Sequence, residues 1–290
     1  MSEPLLHDCQ DRSIGRWIER RTRVRRVFGL KFDVKVEQRV SKVMVRAFLL
    51  QRGMATVVAS GVELLRQQKV ALRTVMKRNL RNFPLELRQE EDIAIQNHVL
   101  SADWFKQSNS LCAYLSCASL REVDTNQIVA SVLQKSDPEM AKELYVPRVL
   151  DREANMAMLH VSSTADLTTN SMGIVEPDFT DSDGKPRKSV LEATEPVDLL
   201  LLPGLIFDRS GRRCGRGGGY YDVFLQKYLQ LVKDKNWKQP LLVAIAYSVQ
   251  VVEDPVPVGE TDIPVDALVL SSGVLPISPF AQKHMNISQI

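Results

Sequence analysis

Short runs of almost wholly apolar residues recur along this chain, and they limit its fold more than any other feature. The clearest runs are Leu111–Ser116 (LCAYLS), Val197–Leu202 (VDLLLL) and Leu241–Tyr247 (LLVAIAY). A strand that is apolar on both faces is typical of a parallel sheet covered by helices on either side. Parallel neighbours also need long crossover connections, and helical patterns lie between these runs. The sequence therefore predicts an α/β domain with a mainly parallel sheet.

The helices and the remaining strands follow from periodicity and from cap residues. Apolar residues recur at helical intervals from Val62 to Leu80, and Pro84 ends this helix near Phe83. Further elements are predicted as helices at Glu86–Asp103, from a cap at Asp124 or Thr125 to Leu133, and at Tyr220–Lys233, and as strands at Glu143–Pro147, Met156–Val161 and Val265–Leu270. The polar stretch Asp178–Glu195 is predicted to be a surface loop, and the tail from Ser271 is predicted to be loose.

Composition and charge exclude several classes of protein. Of the 290 residues, 44% are apolar and 25% are charged, which is typical of a globular chain rather than a disordered one. No apolar run approaches the length that spans a bilayer. The net charge is +6 over residues 1–65 and −3 over the remainder, so the globular part has no excess of positive charge for nucleic acid. We therefore expect neither a nucleic-acid partner nor a membrane partner.

The cysteines do not suggest a metal or redox site. The four cysteines are Cys9, Cys112, Cys117 and Cys214, and no two of them form a C-x-x-C pair. Zinc sites and redox pairs usually show that spacing. Buried or idle thiols in a reducing compartment are the simpler interpretation.

The first 61 residues differ in character from the rest. Arg20–Arg26 is a basic cluster, and Met44–Gln67 combines small, hydroxylated and apolar residues with three Arg and one Glu. Organelle transit peptides are amphipathic, contain Arg and are poor in acidic residues. Residues 1–61 are therefore predicted to be a disordered N-terminal extension that acts as a transit peptide. A basic arm without a targeting role is the alternative, because several acidic residues precede Met44.

The glycines are concentrated in one segment. Five of the 14 lie between Gly211 and Gly219, in GRRCGRGGGYYD. Closely spaced glycines allow backbone amides to converge on an anion, and a helix that starts near Gly219 adds positive potential there. Three arginines in the segment are suited to phosphate oxygens. The loop follows the strand that ends at Leu202, where α/β proteins bind ligands. The segment predicts a phosphate site, with a flexible turn as the alternative.

These residues carry a resemblance to a known family. Pro203–Asp222 fits P-G-x-x-F-D-x-x-G-x-R-x-G-R-G-x-G-Y-Y-D, which resembles the signature of the 5-formyltetrahydrofolate cyclo-ligases. Other family motifs are matched in the same order by Lys69–Arg73, Tyr114–Ser116, Glu122–Thr125, Val146–Arg148, Gly173–Pro177 and Val258–Asp266. The resemblance spans most of residues 66–272. It implies a catalytic domain over residues 62–272, a C-terminal tail over 273–290, and a three-layer α/β/α fold like that of the sugar-isomerase and CoA-transferase group.

The resemblance also implies a reaction and its participants. The family converts 5-formyltetrahydrofolate into 5,10-methenyltetrahydrofolate with ATP as co-substrate and Mg²⁺ as the metal, and releases ADP and phosphate. ATP phosphorylates the formyl oxygen, and N10 of the folate then closes the ring, so the protein mainly positions groups and neutralises charge. We expect a monomer that accepts folates, including polyglutamylated forms. A mitochondrial location is expected, with plastid or cytoplasm as alternatives if the N-terminal segment is not a signal.

The resemblance assigns residues to three ligands. ATP is expected at Lys69, Val70, Ala71, Leu72, Arg73, Arg213, Cys214, Gly215, Arg216, Gly217, Gly218, Gly219, Tyr220 and Tyr221. The folate is expected at Leu115, Glu122, Arg216, Gly217, Gly218, Gly219 and Tyr220, with Met156 and Met158 as apolar walls of the pterin pocket. Asp222 and Asp262 are expected to bind Mg²⁺ as oxygen ligands.

One position departs from the family pattern. Many members have Lys where this chain has Gly218, so one cation for phosphate is missing here. A non-catalytic folate-binding protein on the same fold is therefore the alternative. A sugar-phosphate isomerase or an acyl-CoA transferase is a third possibility, because fold alone does not fix function. A CoA transferase, however, needs a nucleophilic carboxylate near its glycine loop and has no need of Lys69 and Arg73.

Overall fold

The computed structural model of the chain describes residues 61–134, 142–170 and 173–285. The helices are α1 (61–82), α2 (Leu85–Ser101), α3 (Asp103–Lys106), α4 (Asn126–Leu133), α5 (Tyr220–Asp234) and α6 (Pro279–His284). The strands are β1 (Ser110–Ala113), β2 (Glu143–Val149), β3 (Met156–Val161), β4 (Leu167–Thr169), β5 (Val175–Pro177), β6 (Leu199–Leu202), β7 (Ile206–Asp208), β8 (Arg213–Cys214), β9 (Leu241–Ile245), β10 (Val251–Val252), β11 (Ala267–Leu270) and β12 (Gly273–Pro276). Residues 1–60 of the predicted N-terminal extension lie outside the described residues. The last part of the predicted transit segment, residues 61–67, belongs to α1.

The predicted apolar runs lie at the centre of a seven-stranded sheet with the order β12-β11-β9-β6-β1-β2-β3. The strands from β11 to β2 run parallel, and β12 and β3 pair antiparallel at the two edges. The chain passes from β1 to β2 on one side and then to β6 on the other side of β1. The direction of winding therefore reverses between β1 and β6, which is the topological switch point of the sheet.

Alternate residues of the central strands face opposite sides of the sheet. In β6, Leu199 and Leu201 belong to one buried cluster, whereas Leu200 and Leu202 belong to a second. Successive side chains of a strand point in opposite directions, so a run of four leucines needs an apolar layer on each face. All four are at most 1% exposed, which shows that both layers are present.

Helices supply those two layers. α1, α2 and α4 place Met76, Ile95 and Ile128 in the cluster of Leu199. α5 covers the opposite face, where its Phe224 and Tyr228 belong to the other cluster. Helices on both sides of a mainly parallel sheet confirm the predicted three-layer α/β/α fold. Within the described ranges, no helix is long and apolar enough to cross a membrane.

The segment Asp178–Glu195, predicted to be a surface loop, is fixed to the sheet by Arg187. The Arg187 guanidinium donates to the backbone oxygens of Asp178 and His160 and, at 3.0 Å, to the carboxylate of Asp166. Val190 in the same segment is fully buried beneath α5. The segment is therefore a loop with a fixed attachment, which its polar composition does not reveal.

The prediction of a loose tail from Ser271 is wrong for residues 271–285, and residues 286–290 lie outside the described part of the chain. Residues 273–276 form β12, the antiparallel edge strand next to β11, and α6 follows it. Ser278 caps α6 by accepting a hydrogen bond from the Ala281 amide, and Pro279 occupies the first turn. Ala281 and Met285 are buried in the core. The Ser-Pro cap signal was present in the sequence, but the helix is too short to show a clear period.

We predict that Asp166→Asn destabilises the fold at neutral pH by about 2 kcal/mol, the usual range for hydrogen bonds to a charged group. Burial opposes ionisation of Asp166, but hydrogen bonds from Arg187 and from the amides of Ser162 and Ser163 outweigh it and lower its pKa to about 2. A lowered pKa stabilises the fold above the unfolded value of about 3.9, and this stabilisation is lost as the pH falls toward 2.

Urea denaturation across the acid range measures this effect. The difference in midpoint between wild type and Asp166→Asn should be full at pH 7 and shrink between about pH 4 and pH 2. Asp183→Asn is the matched control, because the Asp183 side chain is 72% exposed and its change should be neutral throughout. A difference for Asp166→Asn that does not depend on pH would contradict the assignment.

Candidate active site

Two loops meet at the switch point between β1 and β6. The first covers residues 114–125 and follows β1, and the second covers residues 203–219 and follows β6. Because the connections of these two strands leave in opposite directions, a crevice opens at their carboxyl ends, where doubly wound proteins bind ligands. Most of the site residues predicted from the sequence lie on these two loops or on the helices that border them.

The second loop is built on a short hairpin. β7 pairs antiparallel with β8, and the turn between them is held by the buried carboxylate of Asp208. Asp208 accepts hydrogen bonds from the amides of Ser210, Arg212 and Val256. Burial raises the cost of its charge, but the hydrogen bonds from Ser210, Val256 and Arg212 prevail and lower the pKa of Asp208. The hairpin therefore gives the glycine segment a fixed starting point.

The glycine segment that follows is shaped to present backbone amides. Gly217 has φ +113° and Gly219 has φ +76°, conformations that residues with a Cβ rarely adopt. Gly219 is also the N-cap of α5, whose first amides have no partner within the helix. No described residue accepts a hydrogen bond from the amides of residues 215–219. Converging free amides at a helix N-terminus form an anion site.

Helix α1 contributes two cations to this segment. Lys69 and Arg73 lie one turn apart on the same face of the helix. The Arg73 Nε donates to the carbonyl oxygen of Gly215 at 2.8 Å, and its guanidinium lies close to Gly217. The Lys69 Nζ lies 2.5 Å from Asp262 Oδ2, and both side chains are 14% exposed. The three residues between them were also predicted to bind ATP. Val70 and Ala71 are exposed, and Leu72 packs against the core.

Arg213 is buried and holds Asp222. Its Nη2 lies 2.6 Å from Asp222 Oδ1, its Nη1 donates to the Pro203 oxygen, and its side chain is only 3% exposed. The Nε of Arg213 is buried without a hydrogen-bond partner. Asp222 also accepts a weak hydrogen bond at 3.4 Å from the amide of Ile263, the residue after Asp262. The backbone that follows Asp262 thus contacts Asp222, whereas the Asp262 carboxylate itself bonds Lys69 and the Gly259 amide.

Arg216 connects the two loops across the switch point. Its Nε lies 3.3 Å from Glu122 Oε1, and its Nη2 donates to the backbone oxygen of Leu120. Glu122 is 13% exposed, and its second oxygen accepts the amide of Cys117 at 3.2 Å. Burial raises the pKa of Glu122, against the opposing effects of the Arg216 charge and the Cys117 amide. The predicted folate residue and the predicted phosphate residue are in direct contact.

Tyr220 closes the segment on its outer side. Its hydroxyl donates to the backbone oxygen of Asp151, after β2, at 3.0 Å. Its ring lies directly over Gly218, where an added Cβ would be 2.7 Å from two ring carbons. The glycine that replaces the family Lys therefore leaves room for this aromatic ring. A larger residue would have to displace it.

The remaining predicted residues are buried in the core or partly buried against it. Leu115 and Tyr221 are partly buried against the core, and burial raises the pKa of the Tyr221 phenol well above its usual value. Cys214 is buried on β8. Met156 and Met158, expected as pocket walls, lie inside the core on the α5 side of the sheet at 5% and 0% exposure. Met156 and Met158 lie on the same face of β3, and the sequence does not indicate whether that face meets a ligand or a helix.

Sequence reasoning missed two groups near this site. Tyr247, after β9, and Asp92, on α2, are hydrogen-bonded to each other at 2.7 Å and contact the loop that carries Glu122. They are 155 positions apart in the chain. No local pattern could bring them together, because neither residue belongs to a recognisable motif.

The donor set at the site fits one kind of metal. Mg²⁺ is usually held by one or two carboxylates together with phosphate oxygens and water. Asp222, in the first turn of α5 directly after the glycine segment, and Asp262, paired with Lys69, are two carboxylates of this kind. Over the described ranges, no group of three His, Cys, Asp or Glu residues could hold a metal ion. The residues present therefore fit a Mg²⁺ shared with a phosphate ligand.

Comparisons with known proteins identify the family. Residues 65–271 match the model of the 5-formyltetrahydrofolate cyclo-ligase family. "5-formyltetrahydrofolate cyclo-ligase, mitochondrial" from Arabidopsis thaliana is 50% identical over 220 residues, which cover 76% of this chain and 79% of that protein. The 5-formyltetrahydrofolate cyclo-ligase of Mus musculus is 29% identical over 204 residues, covering 69% and 92%.

A solved structure is also similar. The NMR structure of 5,10-methenyltetrahydrofolate synthetase from Aquifex aeolicus is 30% identical and matches with a TM-score of 0.56, covering 72% of this chain and 92% of that one. The family match spans well over half of the chain and includes α1, both switch-point loops and the glycine segment. The chain belongs to the 5-formyltetrahydrofolate cyclo-ligase family.

Proposed function

We propose that this protein converts 5-formyltetrahydrofolate into 5,10-methenyltetrahydrofolate with ATP and Mg²⁺, and releases ADP and phosphate. Membership of the family supports the reaction. The observation that carries the proposal is the contact of Arg216 with Glu122. It joins the glycine segment, which is suited to bind phosphate, to the loop after β1. A phosphate donor and an organic acceptor can be bound on either side of that one guanidinium.

The reaction explains why such residues are needed. Ring closure forms a bond from N10 to the formyl carbon on N5 and breaks the bond from that carbon to its oxygen. An amide oxygen is a poor leaving group, so transfer of the terminal phosphoryl group of ATP to it converts the departing group into phosphate. N10 loses its proton to solvent, and the product keeps one positive charge. The protein then has to align the reactants and stabilise negative charge.

The phosphate side of the site is assigned to the glycine segment and α1. The amides of residues 215–219 would bind phosphate oxygens, with Arg73 and Lys69 on one side and Arg216 on the other. Arg213 has a different role in this proposal. Since its side chain is only 3% exposed, it would act through Asp222, whose carboxylate it orients.

Asp222 and Asp262 would hold Mg²⁺, which when bound would neutralise charge on the phosphate oxygens. Their present partners, Arg213 and Lys69, hold the two carboxylates in a fixed orientation.

The folate side is assigned to the loop after β1. Glu122 is fixed by Arg216 and by the Cys117 amide, and it would accept hydrogen bonds from N–H groups of the pterin ring. Leu115 and Tyr220 would contact the apolar parts of the folate. Monomeric state and binding of polyglutamylated forms belong to the same proposal. A mitochondrial location also belongs to it, because the similar Arabidopsis thaliana protein is a mitochondrial cyclo-ligase.

We predict that the purified full-length protein produces methenyltetrahydrofolate from 5-formyltetrahydrofolate only when Mg²⁺ and ATP are both present. The product's near-ultraviolet absorbance reports turnover, and ADP should form in equal amount. Omission of folate is the control, and it should abolish ADP formation. Folate binding without any ADP formation would instead support the non-catalytic alternative suggested by Gly218.

We predict that Arg216→Ala lowers kcat/KM by about 100-fold or more, the usual cost of removing a group that stabilises transition-state charge. Arg216→Lys should be intermediate, because it keeps the charge but loses the two-point geometry. Arg209→Ala is the matched control: Arg209 lies in the neighbouring hairpin turn, its side chain is 61% exposed, and activity should be unchanged. If Arg216→Ala loses its circular dichroism signal, the residue is structural and the assignment is wrong.

We predict that Asp262→Asn raises the Mg²⁺ concentration needed for half-maximal rate by about tenfold, because one charged oxygen ligand is lost. The amide oxygen can still accept from Lys69 and from the Gly259 amide, so the fold should be kept. Asp254→Asn, an exposed change in the same connection, is the control. An unchanged Mg²⁺ dependence would show that Asp262 serves only to hold Lys69.

A further inference from the structure

The loop after β1 is held from outside by a pair of side chains to which the proposed reaction gives no role. Asp92 Oδ1, on α2, accepts the Tyr247 hydroxyl at 2.7 Å and the backbone amide of Asp124 at 2.8 Å. The same hydroxyl lies 3.1 Å from the backbone oxygen of Glu122. The pair therefore contacts the main chain at Glu122 and two residues after it.

The pair is rigidly placed. Tyr247 is 1% exposed, and its ring packs at 5.6 Å against that of Phe83, at the end of α1. A hydroxyl in such a site cannot exchange its partners for bulk water, so its hydrogen bonds restrict the main chain that they meet. Burial raises the pKa of Asp92, against its hydrogen bonds from the Asp124 amide and Tyr247. Asp92 is half-buried, and its carboxylate is held by polar contacts with the loop and with Tyr247.

The other bonds of the loop do not replace this contact. Thr125 bonds the Tyr114 carbonyl and the Ser116 amide, and the Tyr114 hydroxyl donates to the Val123 carbonyl. These bonds close the loop at its two ends. The Glu122 side chain is bound at its tip by Cys117 and Arg216. The one proton of the Tyr247 hydroxyl is shared between Asp92 at 2.7 Å and, as a longer second acceptor at 3.1 Å, the backbone oxygen of Glu122. Among the described residues, Tyr247 is the group from outside the loop that makes this contact with the main chain of Glu122.

We propose that Asp92 and Tyr247 are positioning residues that fix the main chain at Glu122, so that its carboxylate meets Arg216 and the folate in one geometry. The inference rests on the proposed function, because it makes folate affinity depend on a hydroxyl that does not contact the folate. Neither residue is a catalytic residue in this assignment.

The first test removes only the hydroxyl. Tyr247→Phe keeps the ring contact with Phe83 and should raise KM for 5-formyltetrahydrofolate about fivefold, the effect of one hydrogen bond. KM for ATP and kcat should stay within about twofold of wild type. Ser248→Ala is the matched control: its hydroxyl bonds Glu91 on the same helix, but the contact does not reach the loop. Its KM should not change.

A second control separates positioning from stability. Tyr228→Phe also removes a buried hydroxyl, one that binds the Val197 amide on the far side of the sheet. It should lower the melting temperature without raising KM for folate. If Tyr247→Phe folds like wild type and its KM for folate is unchanged, or if Tyr228→Phe raises that KM equally, the proposal is wrong.

A double-mutant cycle tests the route through Glu122. In a Glu122→Gln background, Tyr247→Phe should add little further loss, because the carboxylate that it positions is already gone. A full fivefold effect in that background would overturn the proposal. Asp92→Asn retains an acceptor oxygen and should have a KM near that of wild type, whereas Asp92→Ala should match Tyr247→Phe; equal losses in both Asp92 variants would also count against it.

Failure of the proposed function is visible separately. If the wild-type protein shows no turnover of 5-formyltetrahydrofolate, the reaction is wrong, and hydrogen–deuterium exchange of the full chain then decides the positioning claim. Peptides that cover residues 116–124 should exchange faster in Tyr247→Phe than in wild type or Ser248→Ala. Unchanged exchange in those peptides would overturn the claim whatever the reaction is.

Discussion

The reversal of chain winding between β1 and β6 is the constraint on which the rest of the structure depends. Because the connections from these two strands leave on opposite sides, their carboxyl ends form the kind of position at which doubly wound proteins bind ligands. The loop after β1 brings a buried carboxylate to that position, and the loop after β6 brings amides and guanidiniums. Each loop is held in shape by its own hydrogen bonds. The Glu122–Arg216 pair therefore joins two loops whose conformations are already fixed.

The parts of this arrangement that could be predicted from sequence are those whose structural requirement is visible in a short run of residues. Four consecutive leucines in β6 can be buried only between two apolar layers, so the α/β class followed from them. Gly217 and Gly219 have positive φ, a conformation that favours glycine. The close spacing of the glycines in this segment was visible in the sequence. Lys69 and Arg73 share a helix face by periodicity, and the structure places both beside the glycine segment.

What could not be predicted depends on contacts between distant parts of the chain. β12 looked like a loose tail because an edge strand gains its stability from the partner it pairs with rather than from its own four residues. Met156 and Met158 looked like pocket walls because the sequence does not say which side of β3 faces a helix. Asp92 and Tyr247 meet only after α2 packs against the sheet at β11 and β12. Arg213 is buried although guanidiniums are usually solvated.

The pairing of Lys69 with Asp262 and of Arg213 with Asp222 has a thermodynamic consequence. In the protein alone each cation already has a counter-charge. Under the proposed function Arg213 stays with Asp222, so a polyanion that takes over Lys69 leaves Asp262 without compensation. A divalent cation that arrives with the polyanion removes that penalty. Affinity for either ligand should therefore rise when the other is present, by the same factor in both directions. The resting ion pairs would make the site selective for the metal–nucleotide complex over the free nucleotide.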